Sequence, residues 1–241
     1  MTQAFVSPIE LVVFDMAGTT VLDDGIVEQA FQRAAERTGV ADRMPWDEAL
    51  GYVRETMGRS KIDVFTHLSG GDVDKATAAS LAFEAAYAEI VAESGAEEIP
   101  GAADLISDLR DSGRKVVLTT GFAPPTRDAI IASLGWGSLV DLALSPVDAG
   151  RGRPAPDLVL TALLRTQTHS VERVAVFGDT TSDVASGRRA GAGLVAGVLT
   201  GAHTGEALME AGADTVLTSI TALRGLPEFT GLRAAPALQA S

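Results

Sequence analysis

Apolar runs recur along the chain, and each breaks off into a polar or glycine-containing turn: 9–14, 115–119, 140–144, 173–177, 194–198 and 215–217. The first, Ile9 to Phe14, has no polar alternation, which predicts a strand buried on both faces of a parallel sheet. Between the later runs the apolar spacing becomes helical. Segments 101–112, 124–134, 156–167, 182–190 and 204–211 read as helices, several opened by proline and closed by glycine. Strand and helix in alternation predict a parallel sheet wound by right-handed crossovers. The alternation is broken once, directly after the first strand. There the pattern is helical throughout: Ile26, Val27, Ala30, Phe31 and Ala34 share one face, with Gly39 as a stop. Pro45 opens a second helix through Trp46, Ala49, Leu50, Val53 and Met57. Ser60 and Asp63 suggest a capping box before a third, with Ile62, Phe65 and Leu68 on its apolar side. A fourth, 74–94, carries Ala79, Phe83, Ala86, Tyr87 and Ile90. The fold class is therefore α/β: a doubly wound parallel sheet formed by residues 1–20 and 98–241, with 21–97 as an inserted all-helical block. The tail from Thr230 reads as loose.

Composition narrows the function. Of 241 residues, 19 are Lys or Arg and 32 Asp or Glu, a net charge of −13, and no basic run stands out. Nucleic acid is not an expected partner. No apolar stretch reaches the ~20 residues of a membrane span, and Met1 to Pro8 show no signal-peptide pattern, so the expectation is a cytoplasmic chain without a membrane partner. Cysteine is absent, and His67, His169 and His203 are scattered, which removes thiol chemistry and a histidine-rich metal site.

The candidate chemistry sits at strand ends. Asp15 closes the first strand and runs into Gly18, Thr19 and Thr20, which offer a sharp turn, hydroxyls and amides to an anion. Thr119-Thr120-Gly121 closes the second, and Gly178-Asp179-Thr180-Thr181-Ser182-Asp183 closes the fourth. Arg153 precedes a helix. In a parallel sheet these ends face one crevice. Asp179 or Asp183 alone would be unremarkable as a helix cap. Several carboxylates converging with Asp15 would repel one another unless a cation sat between them. An all-oxygen ligand set beside an anionic substrate favours Mg²⁺, leaving Thr120 and Arg153 to hold phosphoryl oxygens.

In order and context these residues resemble the haloacid dehalogenase-like hydrolases, from about Ile9 to Leu223. The resemblance implies a Rossmann-like core with the helical block as a lid. It implies that Asp15 attacks phosphorus to form an aspartyl-phosphate, and that Mg²⁺ is held by Asp15, the main chain of Ala17 and Asp179, with Asp183 as an outer ligand or orienting group. Gly18, Thr19, Met57, Gly121 and Phe122 would line the substrate. A lid-mediated homodimer is compatible with such relatives.

Ala17 sharpens the reading. Ordinary phosphatases of this superfamily carry a second aspartate there, which protonates the leaving alkoxide, a contribution of about 10²–10⁴ in rate. Asp15-Met16-Ala17-Gly18-Thr19 resembles instead the phosphonatase branch, and Met57-Gly58-Arg59-Ser60-Lys61-Ile62-Asp63 resembles that branch's lysine motif. The resemblance implies a Schiff base between Lys61 and a substrate aldehyde. An iminium withdraws electrons from the C–P bond, so cleavage leaves a neutral enamine and needs no acid at position 17. A lysine at a helix start, desolvated by a closing lid, is also pushed toward the free amine. Three positions depart from the branch: Val64 replaces a histidine, with His67 one turn further on; Phe122 replaces a tyrosine; and the approach to Arg153 is two residues longer. The expectation is a hydrolase of a small carbonyl phosphonate. The alternatives are a phosphatase acting on small phosphate esters or acyl phosphates, and a phosphoryl-binding protein without turnover. Halide removal is disfavoured because the Asp179/Asp183 pair is retained.

Overall fold

The structure is a computed structural model and describes residues 8–232. Six parallel strands form one sheet: β1 (Leu11–Asp15), β2 (Lys115–Thr119), β3 (Leu142–Leu144), β4 (Val174–Gly178), β5 (Leu194–Val198) and β6 (Thr215–Leu217). Their order is β3-β2-β1-β4-β5-β6. β1 is thus central, flanked by β2 and β4, and Asp15 lies beside Thr119 in the register. The winding direction reverses there, which opens the crevice at the C-terminal ends of these strands.

The continuous apolar runs follow from burial on both faces. Val12 and Phe14 of β1, with Ala175 and Phe177 of β4, enter one hydrophobic cluster. The alternate residues Leu11 and Val13, with Val174 and Val176, enter the cluster on the other face. The first cluster does not stop at the sheet: it continues through Met16 and Val21 into Phe31, Phe65 and Phe83 of the helical insert. The insert and the sheet therefore share an apolar interior on the side where the site lies.

The insert comprises α1 (Ile26–Thr38), α2 (Trp46–Glu55), α3 (Lys61–Leu68) and α4 (Val73–Ser94). In α1, Val27, Ala30, Phe31, Ala34 and Ala35 form the buried stripe, and Gly39 closes the helix in the left-handed conformation. α4 starts at Asp72, whose carboxylate accepts the Lys75 N–H at 3.0 Å. Two local expectations are corrected. α2 ends at Glu55, where the Thr56 hydroxyl bonds back to the Tyr52 carbonyl at 2.6 Å, so Met57 and Gly58 lie in the turn before α3. The Ser60–Asp63 capping box does not form: Ser60 holds the N-cap position without a side-chain cap bond, being buried against Gly152. The apolar stripe of α3 keeps the expected Phe65 and Leu68 but not Ile62. Ile62 is 36% exposed, while Lys61, Val64, Phe65 and Leu68 are buried.

The remaining helices are α5 (Ala102–Asp111), α6 (Pro124–Ser133), α7 (Pro146–Ala149), α8 (Asp157–Arg165), α9 (Thr181–Ala190) and α10 (Gly205–Glu210). The short α7 was not expected from spacing; Ser145 and Asp148 form a reciprocal capping box that initiates it. No helix among the described residues is long and apolar enough to cross a membrane. The expected loose tail beyond Leu232, like the stretch before Pro8, lies outside the described residues.

Candidate active site

Three carboxylates converge at the crevice floor. Asp15, Asp179 and Asp183 are all buried, and each offers an oxygen within 4.8 Å of the others. β1 delivers Asp15, and the turn after β4 delivers Asp179. Asp183 occupies the first turn of α9. It does act as a helix cap: its Oδ2 accepts the Thr180 N–H at 3.1 Å while Thr180 Oγ1 accepts the Asp183 N–H at 3.2 Å. Its other oxygen is held by Arg153. Arg153 Nη1 also lies 2.5 Å from Asp15 Oδ1, so one guanidinium bridges two of the three acids.

One guanidinium against three carboxylates leaves an excess of two negative charges. The consequence appears at Asp179, whose carboxyl is raised to about 7, first by burial and then by the neighbouring Asp15. An acid so placed needs a cation to stay ionised. The donor set is oxygen only and suits a hard divalent ion such as Mg²⁺. The residues present fit that group.

Several site expectations converge on the crevice. Asp15, Ala17, Thr120, Arg153 and Asp179 of the sheet side face Met57 and Lys61 of the insert, with Gly121 and Phe122 in the same wall. The space between them admits the centre of a water molecule over only about 20 Å³, so the insert is closed over the floor. Gly121 makes the closure feasible: a Cβ there would stand 2.7 Å from the Arg59 carbonyl oxygen.

Gly18 and Thr19, expected to line the substrate, are placed as supports of the turn. The Gly18 N–H goes to the Val21 carbonyl at 2.8 Å, and the Thr19 N–H to Met16 at 3.1 Å. The Thr19 hydroxyl donates to Asp179 Oδ1 at 3.0 Å. Their donors face inward and fix Asp179, whose other oxygen accepts the Ala202 N–H at 2.8 Å. Gly18, at φ +82°, lets the turn pass so close that a Cβ would lie 2.6 Å from Asp179 Oδ2.

Lys61 is the unusual group. It is buried, and its Nζ lies 5.2, 5.1 and 5.3 Å from the ring centres of Phe31, Phe83 and Phe122. Among the described residues it forms no ion pair. Burial lowers its amine to about 8, against the opposing pull of Asp23 and Glu84. Phe122 thus acts through this cage, packed at 4.5 Å on Tyr87 and stacked on Phe83. His67 does not join the crevice; it is exposed and stacked on Tyr52 at 3.8 Å. Val64 is buried. The additional residues before Arg153 place Arg151 on the surface, paired with Asp157 at 2.8 Å.

Sequence reasoning missed Asp23, Glu84 and Thr180. Asp23 and Thr180 line the crevice. Glu84 flanks Lys61 on the outer side, its Oε1 accepting the Ala123 N–H at 3.0 Å. The only available signal for Asp23 was a carboxylate four residues before Val27, whose N–H it accepts at 3.0 Å.

Comparison with known proteins agrees with this geometry. Residues 9–191 match the haloacid dehalogenase-like hydrolase family. A phosphonoacetaldehyde hydrolase of Bacillus cereus is 30% identical over 82% of this chain and 78% of its own. Validoxylamine A 7'-phosphate phosphatase of Streptomyces hygroscopicus subsp. limoneus is 27% identical over 89% and 96%. The crystal structure of a phosphonoacetaldehyde hydrolase like protein from Oleispira antarctica superposes with a TM-score of 0.75 at 24% identity, covering 93% of this chain and 94% of that one. With its sheet order, its acidic floor and its closed helical insert, the chain belongs to the haloacid dehalogenase-like hydrolases.

Proposed function

We propose that this hydrolase cleaves the C–P bond of a small carbonyl phosphonate, such as phosphonoacetaldehyde, through an imine on Lys61 and a phosphoryl-aspartate on Asp15. The observation that carries the reading is the Lys61 amine, closed into the crevice of Asp15 and Arg153 and, among the described residues, in no ion pair. A lysine confined to bind an anion would be expected to keep its full charge. Burial here moves Lys61 toward the free base, the form that adds to a carbonyl. Ala17 supplies no proton donor beside Asp15, and the imine route needs none there.

In this mechanism Lys61 adds to the substrate carbonyl and water leaves, giving an iminium two bonds from phosphorus. Arg153 orients Asp15 and neutralises phosphoryl charge. Asp15 then attacks phosphorus while the C–P electron pair moves into the enamine. The enamine carbon then takes a proton from water to become an iminium, whose hydrolysis frees Lys61 and the aldehyde, and a second water releases phosphate from Asp15. Asp15, Asp179 and Asp183 would hold Mg²⁺, which when bound supplies charge neutralisation between the carboxylates and the phosphoryl oxygens.

A second reading, hydrolysis of a small phosphate ester, is favoured by the likeness to validoxylamine A 7'-phosphate phosphatase. Borohydride reduction in the presence of phosphonoacetaldehyde, followed by peptide mass mapping, separates the two. An adduct on Lys61, lost together with turnover in Lys61→Arg, is expected. Brisk ester hydrolysis that survives Lys61→Arg, with no adduct, would establish the second reading instead.

A further inference from the structure

We propose that Asp23 is the proton carrier of this crevice: it takes the proton from the Lys61 ammonium and returns it to the hydroxyl that departs as water when the imine forms. The proposal rests on the reading of Lys61 as the imine-forming residue.

The other acids that line the crevice with Asp15 are engaged, and Glu84, whose Oε2 is buried without a hydrogen-bond partner among the described residues, flanks Lys61 on the outer side, away from Asp15. Asp15 is held by Arg153, Asp183 by Arg153 and Thr180, and Asp179 by Thr19 and the Ala202 N–H. Asp23 gives one oxygen to the Val27 N–H, and among the described residues its second oxygen has no hydrogen-bond partner. It lines the same crevice as Lys61 and Asp15, the residues proposed to hold the carbonyl carbon and the phosphorus, and among the described residues it makes no ion pair with Lys61. Among the described residues no imidazole lines the crevice: His67 stacks outside on Tyr52, both ring nitrogens of His203 are taken up by the Thr181 N–H and the Arg54 carbonyl, and position 64 is valine. Tyr87 is unsuited, because burial raises its phenol above the usual range and keeps it protonated.

The charged groups facing Asp23 are Lys61 of α3, Asp15 of β1 and Glu28 of α1. Burial raises Asp23 from 3.8 to about 6 and lowers Lys61 from 10.5 to about 8. The two affinities for a proton are thereby brought close enough for exchange through a bound substrate.

The steps balance. The Lys61 ammonium gives a proton to the Asp23 carboxylate, leaving a free amine and a carboxylic acid. The amine nitrogen bonds to the carbonyl carbon, and its surplus proton passes to the oxygen, forming a carbinolamine. The Asp23 acid protonates that hydroxyl, the C–O bond breaks, water leaves, and the iminium stands opposite a carboxylate once more.

The test uses the full chain with phosphonoacetaldehyde. Asp23→Asn keeps an acceptor for the Val27 N–H but carries no proton. Its kcat should fall about 10²–10⁴-fold, the range for a lost acid–base group, with KM changed less than threefold. Asp23→Ala should recover at least tenfold in kcat with added formate. Wild-type rates in Asp23→Asn, with Lys61 still trapped by borohydride, would overturn the proposal and leave the imine reading standing. A slow Asp23→Asn with no formate rescue of Asp23→Ala would assign a structural role and overturn it as well. Absence of any Lys61 adduct in the wild type would remove both.

Discussion

Replacing Lys61 by methionine should make the protein more stable while abolishing imine chemistry. Methionine keeps most of the stem length and packs well against aromatic rings, three of which surround Lys61. The gain comes from the charge. Lys61 holds its proton with a pKa of about 8 when folded and 10.5 as the reference for the unfolded chain. At pH 7 the folded state therefore carries a buried ammonium at a penalty of about 3 kcal/mol, from 1.36 kcal/mol for each pKa unit. Asp23 and Glu84 offset part of the desolvation and are already included in that figure. Between pH 8 and 10.5 the unfolded chain binds this proton and the folded chain does not, so wild-type stability rises with pH through that window. The penalty is full below pH 8 and gone above 10.5.

Urea unfolding of wild type and Lys61→Met at pH 7, 8, 9.5 and 10.5 measures this directly, because titrations not coupled to Lys61 cancel in the difference and Asp23, the acid coupled to it, titrates at about 6, below the window. The variant should be more stable by about 3 kcal/mol at pH 7, and its advantage should vanish near pH 10.5. A difference that stays flat across the window, or a variant less stable at pH 7, would refute the argument that burial sets the reactivity of this amine.

The remaining predictions concern the floor and the closure. Ala17→Asp places a proton donor beside Asp15, so hydrolysis of a phosphate monoester with a poor leaving group should rise, by about 10²-fold where protonation of the alkoxide limits the rate; steady-state kinetics on such an ester checks it. Gly121→Ala puts a Cβ 2.7 Å from the Arg59 carbonyl oxygen, so the insert should close poorly. Its kcat/KM should fall at least tenfold with a melting temperature within a few degrees of wild type, since the clash is relieved by opening.

The sheet was legible because its signal is local and redundant. Burial on both faces leaves β1, β2, β4 and β5 as near-continuous apolar runs, and their parallel order sends Asp15, Thr120 and Asp179 to one edge whatever the details of the loops. What the spacing left open was where donors point. Gly18 and Thr19 present the same groups in sequence whether they face a substrate or support Asp179; the turn after β1 directs them to Val21, Met16 and Asp179. Asp23 was overlooked for a related reason. Its carboxylate enters the crevice because α1 packs on α4, Phe31 lying 4.8 Å from Phe83, which sets the start of the helix, Val27 included, at the crevice, a contact between elements that spacing along the chain does not encode.

Lys61 shows how the two kinds of information meet. Placing Ile62 on the apolar side of α3 left the lysine on a surface helix face, and its flanking motif, Ala17 and its position at a helix start under the lid argued for more. The buried set is instead Lys61, Val64, Phe65 and Leu68, the i, i+3, i+4, i+7 stripe of an amphipathic helix with a cation in the first position. Elementary packing would reject a lysine there, since a buried ammonium without a carboxylate partner is unfavourable. The stripe leads from that lysine into the interior shared with Phe31 and Phe83, and Phe122 crosses from the sheet side to complete the cage. Burial that weakens the fold is thus the same burial that frees the amine. Spacing alone allows either Ile62 or Lys61 to lead the stripe of α3, and it is the packing of Phe31, Phe83 and Phe122 around the amine that decides for the lysine.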